Sequence, residues 1–361
     1  MKIVFIINSL HAPRCIKRVN EFIERGFEIE AFAFSRKENE RKVSCEFKIN
    51  IIGEYSNKTS FYKRLPLLYF GIRSVVNLYK DRKDIIFYLF QLDVAMVFNS
   101  LSFGKKYIYE ESDLMHTYIR NIILNKLFEK IDRYIIRNSL LSIFTSEGFV
   151  KYHYGDIVND KCIVIPNRLN KDILNFNYHP RKDLNVKKLK IGFVGGARFK
   201  SVFNFVKTYC EEFPYCEFHF FGYLDKNSVF NLLDKYPNCY FHGAFKNPDD
   251  LPIIYSQIDL VLSSYDTEFE NVKYAEPNKL YEAIYFETPI IVSKGTFLEQ
   301  KVNSLGIGYS IDPLDDSSII DFINNLTAKS IDEKKYNCSI IEKSKCLNIN
   351  DNLFVILNEL I

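Results

Sequence analysis

Neither of the two strands that open the halves of this chain is followed by a G-x-G-x-x-G turn. That absence speaks against a dinucleotide-dependent oxidoreductase, whose fingerprint needs those glycines where a strand gives way to a helix, with an acid about 20 residues on. No run of about 18 apolar residues occurs, so no segment is expected to span a bilayer. The opening apolar stretch Lys2–Leu10 is too short, and too soon followed by His11 and Arg14, to serve as a signal peptide. The expectation is a cytoplasmic protein, with the inner face of the membrane as its furthest reach; an exported two-lobed solute-binding protein fits poorly. The 8 cysteines form no C-x-x-C pair and have no histidine at metal spacing, so neither a disulfide framework nor a zinc site is expected. No Asp-x-Asp metal motif stands in a suitable place, and low-complexity tracts are absent. The one repeat is a β/α pattern that starts again halfway.

What is present suits a globular α/β protein. The 361 residues, 47% hydrophobic and 26% charged, are enough for two domains that each bury a core. Net charge is only +3 but uneven: residues 1–185 hold 30 Lys/Arg against 21 Asp/Glu, and residues 186–361 hold 18 against 24. A basic first half attracts anionic headgroups or a phosphate-bearing partner, though such an excess is also common on plain solvated surfaces. No nucleic-acid partner is expected.

In the first half, Lys2–Ile7 is an apolar run that reads as a central parallel strand. The loop after it carries His11 and Arg14 at the edge where open α/β sheets bind ligands. A helix follows to Arg25 and ends at Gly26, and Phe27–Phe34 gives the second strand. Residues 58–83 keep helical spacing at Phe61, Leu65, Leu68, Ile72, Val75, Val76 and Tyr79, with seven basic residues against the single acid Asp81. This segment is either a monotopic membrane contact, with Lys63, Arg64, Arg73 and Lys80 near headgroups, or a helix packed on its own sheet. Next, Lys105–Asp113 runs from a strand into an acidic loop. Ser112 and Asp113 suit capping of a helix from about 116 to 138, and a base role for Asp113, or less so Glu111, would need a hydroxyl within hydrogen-bond reach. Residues 169–187, polar and broken by one proline, read as the linker.

The second half begins with a strand over 189–194 and the turn Gly195-Gly196-Ala197-Arg198-Phe199-Lys200. Two glycines let backbone approach a ligand, with two cations beside them. Further on, residues 276–293 read EPNKLYEAIYFETPIIVS. Pro277 suits a helix start, Leu280, Ala283 and Ile284 mark a buried face, and Ile290-Ile291-Val292 suits a covered strand. The start of such a helix is a ready phosphate site, and Lys279 lies in its first turn.

The segment Pro-Asn-Lys-Leu-Tyr-Glu-Ala at 277–283, the turn at 195–200, the Gly-Ala-Phe at 243–245 and the Val-Ile-Pro-Asn at 164–167 together resemble family 4-type glycosyltransferases of the GT-B fold, of the kind that build bacterial surface polysaccharides. The resemblance implies two Rossmann-like, doubly wound domains facing a cleft: 1–185 for the acceptor, 186–340 for the donor, and a helix over 341–361 that crosses back to the first domain. It implies transfer of a hexose from a nucleotide-sugar, used as substrate with no cofactor or metal, to a hydroxyl on a glycan or lipid-linked acceptor. Donor contacts would come from Gly195, Gly196, Arg198, Lys200, Phe245, Asn278, Lys279, Leu280 and Glu282. Arg198 would steady the leaving diphosphate and Glu282 would hold the ribose, while His11, Arg14, Glu111 and Asp113 would face the acceptor. Two departures stand out. Lys200 lies closer to Arg198 than the family's Arg-x5-Lys, and Tyr274 occupies the place of the first glutamate of retaining members, with Glu276 at the wrong spacing. A relative that binds nucleotide-sugar without transferring it stays open.

Overall fold

The computed structural model describes residues 1–10, 12–36, 47–56, 59, 61–157, 159–181, 183–223 and 235–360. These form two compact units: Met1–Ile165 with Asp351–Ile361, and Pro166–Asn350. The expected boundary at 185 falls inside the second unit, and so does the expected linker. Its Ile173 is fully buried in that unit's core, and Leu169 bridges to Leu347.

In the first unit, strands β1 (Lys2–Ile7), β2 (Glu28–Arg36), β3 (Ile49–Tyr55), β4 (Ile85–Phe90), β5 (Tyr107–Glu111), β6 (Leu141–Phe144) and β7 (Cys162–Val164) make a parallel sheet in the order β3-β2-β1-β4-β5-β6-β7. β1 and β4 are covered on both faces, which is why their sequences, KIVFII and IIFYLF, are apolar at almost every position rather than alternating. The order reverses between β1 and β4, so the loops leaving those strands open a crevice at the sheet's C-terminal edge. The helix Asp351–Leu360 belongs to this unit: Leu353, Phe354 and Leu357 pack with Phe5 and Phe22 in its core.

In the second unit, β8 (Lys190–Val194), β9 (Glu217–Phe221), β10 (Cys239–Phe241), β11 (Leu260–Ser263), β12 (Ile290–Ser293) and β13 (Gly308–Ile311) form a second parallel sheet in the order β10-β9-β8-β11-β12-β13. Here the reversal lies between β8 and β11. The 195–199 loop and residues 264–266 therefore leave neighbouring strands side by side.

Candidate donor and acceptor sites

Within the second unit, a cavity of about 490 Å³ opens at that reversal, lined by Phe193, Gly196, Arg198, Tyr223, Tyr265 and Lys279 among others. Its floor is backbone held by backbone. The Gly195 N–H donates to the Phe221 carbonyl at 2.8 Å and the Ala197 N–H to the Tyr223 carbonyl at 2.9 Å. Gly195 and Gly222 have φ of +123° and +129°, and a Cβ on Gly222 would overlap the Gly195 carbonyl. Both glycines are thus fixed by conformation, and the second also by a close approach of two strands.

The helix Lys200–Glu212 begins beside this floor, but its N-terminus is already taken. The buried Asp266, from the loop after β11, accepts from the Lys200 N–H at 3.1 Å and from the Ser201 N–H at 2.8 Å. Lys200 itself is exposed and outside the cavity lining. By contrast, the helix Asn278–Tyr285 opens with no side-chain cap, Pro277 standing just ahead of it in extended conformation. In its first turn Asn278 is exposed, while Lys279 is only 9% exposed. The Lys279 ammonium lies over the ring of Phe193 at 4.3 Å and that of Tyr265 at 5.9 Å. Among the described residues no carboxylate pairs with it. Glu282, one turn on, is an acid whose charge reaches it, but no ion pair forms among the described residues, so this deep cation, faced by ring π-clouds and an uncapped helix start, has no direct partner to offset its desolvation.

One turn on, the buried Glu282 accepts from the Tyr255 hydroxyl at 2.7 Å. Burial raises its carboxyl above the ordinary range, and the Tyr255 hydrogen bond and the Lys279 charge pull the other way. The Leu280 side chain is buried in the apolar core, and its backbone N–H donates to the Pro277 carbonyl at 3.1 Å. Phe245 is partly buried against the same core rather than in the cavity lining. Glu276 accepts from the Tyr281 hydroxyl and pairs with Lys301 at 2.9 Å, so it is held inside the fold. Arg198 is exposed at the cavity, its guanidinium 5.1 Å from the Phe199 ring.

In the first unit the acidic end of β5 divides by depth. Glu110 is fully buried and gathers Arg14 at 3.2 Å, Arg18 at 3.1 Å and the Tyr88 hydroxyl. Arg14 is thereby committed to a neighbour in its own unit. Glu111 is fully buried too and meets His153 Nε2 at 3.0 Å. Asp113 is half-buried at the sheet's C-terminal edge, with the Gln91 side-chain N–H 3.5 Å away. The 3₁₀ turn Met115–Tyr118 starts after Leu114, and the helix Ile122–Asn138 is capped by Asn121 rather than by Ser112 or Asp113. His11 lies outside the described residues.

Around Glu111, Tyr109 donates to Asp132 at 2.9 Å, and His116 faces Asp132 at 3.3 Å and Tyr152 at 3.1 Å. Glu111, Asp132 and His153 offer ligand atoms within 4.8 Å of one another, the one such group among the described residues. Glu111 pairs with His153 Nε2 and Tyr109 holds one oxygen of Asp132, while Asp132 Oδ2, His116 Nδ1 and His153 Nδ1 are buried without a hydrogen-bond partner among the described residues; no ion is assigned to the cluster. Burial, then the charge of Asp132, pushes Glu111 up to about 7. For His153, burial disfavours the charged form, but the Glu111 carboxylate outweighs this and the net direction is upward. The apolar stripe of the Phe61–Leu78 helix is turned inward: Leu68, Ile72, Val75 and Val76 are buried, so these residues pack in the unit and touch no acyl chain.

Sequence reading missed Asp266, Tyr255 and Tyr265. Position was the signal available for the last, since it follows β11 at the reversal of strand order.

No protein-family model and no curated protein sequence matches the chain. Solved structures do. The sucrose-phosphate synthase of Thermosynechococcus elongatus superposes with a TM-score of 0.73 at 15% identity, over 99% of this chain and 100% of that one. HepE of Anabaena, solved with UDP-glucose, gives 0.68 at 13%, over 100% and 99%. The fold is GT-B-like. A lipopolysaccharide outer-core galactosyltransferase, WaaB, adds 0.61 at 15%, over 98% and 99%. At these identities the likeness is one of fold, and the GT-B arrangement of two parallel sheets is what it establishes. No helix among the described residues is long and apolar enough to cross a membrane.

Proposed function

We propose that the chain transfers a sugar, of the hexose class, from a nucleoside-diphosphate donor to a hydroxyl on a glycan or lipid-linked acceptor. The observation that carries the reading is Lys279: a nearly buried ammonium without a carboxylate partner, beside the glycine floor and in the first turn of an uncapped helix. A diphosphate supplies the missing charge. Arg198, exposed at the same cavity, adds a planar donor fork as the leaving group gains charge. Glu282, held by Tyr255, is the acceptor for ribose hydroxyls, and Asp113 in the first unit is the base for the acceptor hydroxyl. The binding of UDP-glucose by HepE makes UDP-sugars the first donors to try. Since these cations and the helix start carry the diphosphate charge, the reaction is expected to proceed without a divalent ion.

The test is calorimetry and thermal shift with UDP-, GDP- and CDP-sugars on wild type, Arg198→Ala, Lys279→Met and Glu282→Ala, with and without EDTA. One nucleotide class should raise the melting temperature by the equivalent of about 1–3 kcal/mol, and each substitution should weaken that class. Binding that ignores all three substitutions would overturn the site. Intact binding with no sugar consumed on any hydroxyl acceptor would leave a nucleotide-sugar binder and remove the transferase.

A further inference from the structure

Between the first turns of the helices Phe61–Leu78 and Ile122–Asn138 the first unit holds a second cavity, of about 470 Å³. Small-molecule sites run from about 300 to 1,000 Å³, so a ring with its substituents fits. The chain has 3 methionines, and the two beyond Met1, Met96 and Met115, both line this cavity. Phe128 and the exposed rings of Tyr62 and Tyr118 join them, with Arg64 and Arg120 at the wall. Met96, Met115 and Phe128 are only half-buried, so their apolar surface stays open to a ligand. Charge at the wall is uneven. The buried Asp93 accepts from the Val94 N–H at 2.9 Å; burial raises its carboxyl, against that hydrogen bond and the Arg64 charge. Arg64 thus has an acid in its own unit, whereas Arg120 is exposed and forms no ion pair among the described residues. One cation is left over. The lining also continues from the two segments that place Asp113. Leu92 and Asp93 follow Gln91, whose side-chain N–H donates to Ser112 and lies 3.5 Å from Asp113, and the Met115 N–H donates to the Asp113 carbonyl at 2.8 Å.

We infer that this cavity seats an aromatic ring bearing one acidic group, carried by the acceptor glycan as its aglycone. Thioether sulfurs, aromatic edges and guanidinium planes all gain contact energy against a π-face that they do not gain against a saturated chain. The unbonded branches of isoleucine and leucine would have served an alkyl group as well, and here they are the smaller share of the lining. Arg120 then answers the acid, in the planar geometry that suits a carboxylate. The glycan attached to such a ring starts beside the segments that hold Asp113. Its role as acceptor rests on the transferase reading, but the seating of the ring needs no donor and is measured apart from it.

The experiment is calorimetry of the full chain with four glucosides: methyl, cyclohexyl, phenyl and 4-carboxyphenyl. The phenyl compound should bind about fivefold tighter than the cyclohexyl one, and the 4-carboxyphenyl compound about fivefold tighter again. Arg120→Ala, at an exposed side chain, should bring the 4-carboxyphenyl glucoside down to the phenyl level and leave the phenyl compound unchanged. Met96→Leu/Met115→Leu conserves volume and so keeps the fold, and it should shrink the preference for phenyl over cyclohexyl. Absence of binding by the 4-carboxyphenyl glucoside, equal binding of phenyl and cyclohexyl, or indifference to both variants would overturn the inference. So would a bound aryl glucoside that gains no sugar from a donor shown to bind by thermal shift. If instead no donor binds while the aryl series keeps its order, the transferase reading fails and the aromatic site stands.

Discussion

Asp266→Ala should damage the second unit although Asp266 lies far in sequence from the helix it serves. Its carboxylate accepts two backbone N–H groups, at 3.1 and 2.8 Å, at the start of the 200–212 helix. No side chain within that helix's own first turn replaces it, because the N-cap residue is Phe199. Losing a helix cap costs about 1–2 kcal/mol, and a buried donor left without an acceptor about 1–3 kcal/mol. These overlap, since the orphaned donors are the cap's own, so roughly 2–4 kcal/mol is the net expectation. In a unit of this size each kcal/mol lowers the melting temperature by about 2–4 °C, giving a fall on the order of 5–15 °C. Asp266→Asn keeps one oxygen acceptor and should lose less than half as much. Differential scanning calorimetry reads the melting temperature, and hydrogen exchange reads the Lys200 and Ser201 amides, which should lose protection in the alanine variant. An alanine variant melting within about 1 °C of wild type, or an asparagine variant as damaged as alanine, would refute the cap as the reason this loop is placed.

Lys279→Met should weaken nucleotide-sugar binding by about tenfold or more while leaving the unliganded melting temperature equal or higher, since a buried cation without a partner is removed; calorimetry and thermal shift on the same samples separate the two effects. Gly222→Ala should destabilise the second unit by about 3 kcal/mol or more in urea unfolding, because its φ is +129° and a Cβ there would overlap the Gly195 carbonyl. The Glu111–His153 pair should make the first unit less stable as pH rises through neutrality. Between the ordinary carboxyl range and about 7, native Glu111 keeps a proton that the unfolded chain has released. Against its burial, His153 is shifted upward chiefly by the ionised Glu111, so the pair shares one proton-binding step in that window rather than adding a second. Denaturant melts from pH 5.5 to 8.5 should show that slope in wild type and a flatter one in Glu111→Gln.

The sheets were legible because a strand covered on both faces has no choice but to be apolar, as β1 and β4 are. The turn at 195–200 and the helix at 278 were legible as motifs, and the structure sets Gly196, Arg198 and Lys279 around one cavity. Periodicity tells which way a residue points but not whom it meets. It therefore offered no view of Asp266 on a helix 65 residues away, of Arg18 on Glu110 92 residues away, or of Arg14 drawn to the same carboxylate. Charge misled in the other direction. Lys279 and Glu282 fall outside the apolar stripe of their helix and yet are buried, since the cavity wall and Tyr255 cover that side. Composition placed 169–187 as a linker; Leu169 and Ile173 are what tie it to the second core.

The order in which the chain is made gives the helix Asp351–Leu360 a further consequence. Phe354 meets the ring of Phe22 at 5.1 Å and lies under Arg25, which also pairs with Asp351. The second unit, 166–350, is continuous and can complete its core as soon as it is synthesised, whereas the first must wait for the residues that follow it. Until then the surface around Phe22 and Phe27 stays open, and its closing contacts span more than 300 residues, a loop whose entropy is lost late and slowly. The unit that starts first on the ribosome is therefore the one that finishes last, and it passes its nascent life with an unsealed core.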